Sequence, residues 1–75
     1  MTIKDLMNVF GNIEVAIYRS VYNTETGDMN SYCLHSGLAS KIPDMVKMLN
    51  VESAEPTANG LNIDVETMVI GKEGV

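Results

Sequence analysis

Between Asn12 and Tyr22 the chain reads N-I-E-V-A-I-Y-R-S-V-Y, and its apolar positions repeat every second residue. Ile13, Val15, Ile17 and Val21 fall on one side of that repeat, interrupted only by Arg19, while Glu14, Tyr18, Ser20 and Tyr22 fall on the other. This is the alternation of a half-buried strand, rich in the β-branched and aromatic residues that suit a pleated surface. The following Asn23-Thr-Glu-Thr-Gly-Asp28 reads as a hairpin turn, with Gly27 free to take positive φ and Asn23 and Asp28 able to bond nearby backbone. Met29 to Ser36 is long enough to return antiparallel.

Upstream, the period changes to that of a helix. Thr2 predicts an N-cap with Asp5 three residues on, Ile3, Leu6, Met7 and Phe10 form one apolar stripe, and Gly11 closes the helix. Downstream, Ser36 to Ser40 reads as a loop, and Pro43 and Asp44 open a second short helix whose buried side is Ile42, Met45, Val46 and Leu49. Val51 to Ala54 and Leu61 to Val65 then predict a second hairpin, with Asn59-Gly60 as its turn signal. Thr67 to Ile70 either extends the last strand or forms a short edge piece. The expected architecture is α+β in the order α-β-β-α-β-β: an antiparallel sheet of two hairpins with short helices packed on one face. Residues 1–70 form one domain and 71–75 a flexible C-terminal tail.

At 75 residues the core is small, since a chain of this size buries only ~60% of its extended surface. A deep catalytic cleft is hard to build on it. Ten acidic residues against five basic ones give a net charge of −5, which argues against direct nucleic-acid binding. A single cysteine, the lack of a signal-peptide pattern at the start and the lack of a long apolar run predict a cytoplasmic location.

The pattern as a whole, T-I-K-D-L, I-E-V-A-I-Y, T-E-T-G-D, a helix opened by I-P-D and a closing L-N-I-D-V, resembles small uncharacterised proteins carried by phages and mobile elements of Firmicutes. Some small acidic phage proteins of this length inhibit host defence nucleases, anti-CRISPR proteins among them. The resemblance runs over residues 2–66 and implies a binding protein without carrying over any catalytic residue.

The side chains themselves offer little chemistry. Cys33 and His35, two apart on a strand, would lie about 6.8 Å apart on one side. A zinc site needs two further ligands and the chain has no second histidine or cysteine, so no metal or cofactor is expected. A Cys33–His35 catalytic pair would need a cleft and an orienting group that the sequence does not supply, and the simpler reading is a small buried Cys33 beside a surface His35. Most of the six methionines read as core fillers, with Met48 off the apolar side of its helix.

Two groups of residues predict a protein interface instead. Tyr18 and Tyr22 share the strand side opposite Ile13, Val15 and Ile17, where tyrosine gives a partner large area and a polar tip; cross-strand pairing is the alternative. Glu52, Glu55, Asp64 and Glu66 gather in the second hairpin with no basic residue between Val51 and Ile70, a partial mimic of a phosphate backbone or a solubilising face. The sequence therefore predicts a non-enzymatic binding protein that occludes a host nucleic-acid-handling enzyme. The alternative is a structural module that pairs with its own copy through a Val65–Ile70 edge, so a homodimer is also among the expected partners.

Overall fold

The computed structural model describes residues 1–71. Its first helix, α1 (Ile3–Phe10), begins as the sequence predicts. The Thr2 hydroxyl accepts the Asp5 N–H at 3.2 Å and the Asp5 carboxylate accepts the Thr2 N–H at 3.1 Å, so two donors that the helix leaves unpaired are satisfied reciprocally. Gly11 stops the helix at φ 78°, its N–H bonding the Met7 carbonyl at 2.7 Å. Ile3 and Leu6 are buried and Met7 packs against them, whereas Phe10, the last member of the stripe, is 49% exposed.

Four strands follow: β1 (Glu14–Asn23), β2 (Met29–Leu38), β3 (Val51–Pro56) and β4 (Gly60–Ile70). A 3-10 turn (Ala39–Lys41) and a one-turn helix, α2 (Asp44–Lys47), lie between β2 and β3. The order in the sheet is β2-β1-β4-β3. Both hairpins form, and the class is α+β as expected. The hairpins meet through a parallel β1–β4 pair, so the sheet is mixed and not antiparallel throughout.

The first turn is built as its sequence suggests. Gly27 takes φ 77°, its N–H bonds the Asn23 carbonyl, and the Asn23 side chain accepts the Glu25 N–H at 2.9 Å. The second turn differs. Thr57 N–H bonds the Gly60 carbonyl and Gly60 N–H bonds the Thr57 hydroxyl, with Gly60 outside the left-handed region and already the first residue of β4. A Cβ on Gly60 would run into the carbonyl of Glu14, its partner across the parallel pair. Close approach of two backbones, and not turn geometry, requires glycine there.

Residues paired across strands share a face. The register sets Val15 beside Leu61 and Ile17 beside Ile63, and all four are buried under α1 and the segment around Ala39 and Ile42. Val46 and Leu49 pack at the rim of this core, but Met45, expected inside, is 85% exposed. Ile42 is extended, at φ −63° and ψ 128°, and α2 spans only four residues. The helical spacing that would have carried Met45 inward does not begin early enough.

The N-terminus closes the structure. Ile3 N–H bonds the Leu49 carbonyl and Val51 N–H bonds the Met1 carbonyl, so Thr2 bridges Asn50 next to the start of β3. The helices cover only the end of the sheet that holds Val15, Ile17 and Ile63. The remainder, Tyr18–Asn23 with Met29–Cys33 and Glu66–Ile70, forms a three-stranded arm without a buried residue, in a molecule 41 Å long and 22 Å wide. Of the expected tail 71–75, all but Gly71 lies outside the described residues.

Candidate binding face

The even-numbered positions of β1, from Glu14 to Tyr22, point away from the helices, because Val15 and Ile17 point toward them. Tyr18 and Tyr22 therefore share the uncovered side of the sheet. Tyr18 is 37% exposed and Tyr22 half-buried. The register sets Tyr18 between Cys33 of β2 and Asp64 of β4, and Tyr22 between Met29 and Val69. Between the two tyrosines, the hydroxyls of Ser20 and Ser31 are 3.3 Å apart.

The acids are only partly gathered. Asp64 stands beside Tyr18 and accepts a hydrogen bond from the Ser53 hydroxyl at 3.2 Å, while Glu55 lies beside Asn62 on the same side of β3. Glu52 is the extra residue of a bulge between Val51 and Ser53. Glu66 and Thr67 together oppose Ser20 at a bulge in β4. The Glu66 backbone is held on both sides: its N–H donates to the Asn50 carbonyl and its carbonyl accepts the Arg19 Nε at 3.2 Å. All four carboxylates are exposed, and the structure brings Asp64 and Glu55 to the tyrosine face directly.

Charge is divided between the two layers. Among the described residues the basic side chains are Lys4, Lys41 and Lys47 in the helical segments and Arg19, whose register with Val65 puts it on the helix side. The uncovered face, with Glu14, Glu55 and Asp64, carries none. On the helical layer, the Asp5 carboxyl group is held below its ordinary range; the Thr2 backbone N–H bonded to it is the main cause.

Elsewhere the chemistry is sparse. A shallow groove of about 270 Å³ between α1 and the Ala39–Lys47 segment is lined by Lys4, Asn8, Asn12, Ser40 and Lys47 among others. Asn12 accepts the Ser40 N–H there at 2.8 Å, and Lys47 pairs with Asp44 at 3.7 Å. Cys33 is exposed and not buried, and its thiol donates to the His35 carbonyl at 3.5 Å. The imidazole of His35, half-buried, turns instead to the Leu38 carbonyl at 3.0 Å. A register shift between these residues, where β2 runs from Cys33 to His35 against Tyr18 and Ile17, breaks the simple alternation. Among the described residues no three His, Cys, Asp or Glu side chains converge to hold a metal ion.

The expected Val65–Ile70 edge is half present. β4 lies inside the sheet along Leu61–Val65, where β3 covers it, and loses that neighbour from Thr67 onward. The residues that sequence reasoning missed, Cys33, Met29 and Val69, flank the tyrosines through cross-strand register. No local signal in the chain specifies that register. No helix is long and apolar enough to cross a membrane among the described residues. Compared with protein-family models, characterised proteins and solved structures, the chain matches none.

Proposed function

We propose that this chain is a non-enzymatic binding protein whose uncovered sheet face occludes a partner protein carrying a basic surface. The observation that carries this reading is the face itself: Tyr18 beside Asp64, Tyr22 farther along the same side beside Val69, Glu55 one strand away and no basic side chain among them. A molecule 41 Å by 22 Å has room on one face for about 800 Å² per partner, the size of a standard interface. Tyrosine is enriched among residues that dominate binding energy, and rim carboxylates set salt dependence and association rate.

The most specific form is an inhibitor of a host nucleic-acid-handling enzyme, encoded by a phage or mobile element and acting in the cytoplasm. The resemblance of the sequence pattern and the acidic balance support it. A duplex presents a charge about every 1.7 Å of axis, denser than the acids here, two of which sit at bulges. Such an inhibitor gains its affinity from the tyrosines and uses Asp64 and Glu55 to choose a basic target.

Affinity capture from host lysate at low and moderate salt tests this, followed by titration of the captured enzyme. Tyr18→Ala with Tyr22→Ala is expected to weaken binding at least ~30-fold, and Asp64→Lys with Glu55→Lys to weaken it and flatten its salt dependence. Unchanged affinity in both double variants overturns the reading.

A further inference from the structure

We propose that β2 is a pairing edge, at which two copies of this chain join antiparallel about a two-fold axis into one continuous eight-stranded sheet. The two edges of the sheet are unlike. β3 carries Glu52 and Glu55, ends in Pro56 and has Thr2 bridged beside its start, all devices that discourage edge-to-edge contact. β2 has ten residues with no proline and no Asp, Glu, Lys or Arg among them. Asp28 and Lys41 flank an uncharged run from Met29 to Ser40, longer than any other in the chain. Two copies each carrying a net charge of −5 repel, so a joint between them is least opposed along that run.

The backbone is arranged for such pairing. The Asn23 N–H bonds the Asp28 carbonyl, and alternation along the antiparallel pair then turns the peptide groups of Asn30 and Tyr32 inward to Val21 and Arg19. Those of Met29, Ser31 and Cys33 face outward. The exposed side chains of the strand lie on both faces: Met29 and Cys33 on the uncovered side and Tyr32, 52% exposed and paired with Arg19, on the helix side. A layer packed on the sheet would cover one set only. A strand laid alongside touches both.

A ten-residue strand is about 34 Å long and a sheet about 10 Å thick. At most ~700 Å² is then buried in total, below the ~1,200 Å² of stable complexes. The dimer is accordingly weak and dependent on concentration. The outer side of β4 from Thr67 to Ile70 is the competing joint, but it offers four residues where β2 offers the regular run Met29–Cys33 and a further length of strand beyond its bulge. This proposal does not depend on the binding-face reading, because it uses an edge of the sheet and not its face.

Sedimentation velocity from about 10 µM to about 1 mM, a span chosen for so small an interface, tests it on the intact chain. The wild-type mass is expected to rise from one copy to two. Ser31→Pro removes an outward N–H without touching the β1 ladder and is expected to stay monomeric with an unchanged far-UV spectrum. Should that variant not fold, Ser31→Glu, which puts a carboxylate on the edge and adds to the negative charge both copies already carry, is expected to do the same. Val69→Lys is expected to associate as the wild type does. A monomeric wild type at the highest concentration, growth beyond two copies, undiminished association in the Ser31 variants, or its loss in Val69→Lys would each overturn the proposal.

Discussion

Replacing Gly60 by alanine separates two reasons for a glycine next to a turn. If Gly60 served turn geometry, as the Asn59-Gly60 pair suggests, its substitution would resemble that of Gly27, which sits at φ 77° with open space where a Cβ would go. That strain is worth about 1 kcal/mol. At Gly60 the added carbon meets the Glu14 carbonyl, a backbone group held by the sheet. Relief requires the starts of β1 and β4 to separate, at ~1 kcal/mol for the first ladder hydrogen bond and ~1–3 kcal/mol for the crowding. The neighbouring pair Val15–Leu61, both buried, is disturbed with them. Gly60→Ala is therefore expected to cost ~2–4 kcal/mol. With a urea slope near 1 kcal/mol per molar for a chain this small, the midpoint falls by roughly 2–4 M, against about 1 M for Gly27→Ala. Urea unfolding followed by far-UV circular dichroism measures both. A Gly60→Ala midpoint no lower than that of Gly27→Ala would refute the close-approach argument.

Ile63 is fully buried between β1 and β3, so Ile63→Ala should cost ~3 kcal/mol and lower the melting temperature by about 10–25 °C. Met45→Ala, on a residue open to solvent, should stay within ~0.5 kcal/mol in the same calorimetric comparison. Asn12→Ala removes the acceptor for the Ser40 N–H and should cost about 1 kcal/mol, read as a shifted denaturant midpoint with unchanged slope. The Asp5 carboxyl, held below its ordinary 3.8 by Thr2, binds fewer protons folded than unfolded; its contribution is complete above that value and is lost as pH falls through the lower folded one. Asp5→Asn should flatten the acid limb of a stability-against-pH curve, and an identical limb in both proteins would sink this assignment.

Local determinants were readable from the chain, and choices between distant strands were not. Thr2, Asp5 and Gly11 act within one helical turn of their partners, and Gly27 within one hairpin, so residue type and spacing suffice to place them. The alternation in β1 placed Tyr18 and Tyr22 on the side away from Val15 and Ile17, because a strand without an inserted residue keeps its phase. Where bulges interrupt the phase, the reading weakens. Cys33 and His35 no longer act as simple same-side neighbours, and Glu52 and Glu66 sit at irregular positions beside regularly placed Glu55 and Asp64. The parallel β1–β4 pair had no signal at all: nothing in Glu14 or Gly60 alone says that these backbones will touch. The Met45 error has a different origin, a helical period counted from Ile42 although the helix starts two residues later.

The two proposed contacts respond to salt with opposite signs, which lets one titration judge both. Binding through the uncovered face sets Asp64, Glu55 and Glu14 against a basic partner, an attraction that screening removes as the Debye length falls from about 10 Å at 0.1 M salt to about 3 Å at 1 M. Pairing through β2 joins uncharged strands of two molecules that repel as wholes, and the same screening removes an opposing force. Raising salt should therefore weaken capture of a partner while strengthening self-association. If both contacts weaken together, the joint between copies involves the charged surfaces after all and β2 is the wrong edge. If both strengthen, the face binds through its tyrosines alone, and the carboxylates beside them serve solubility.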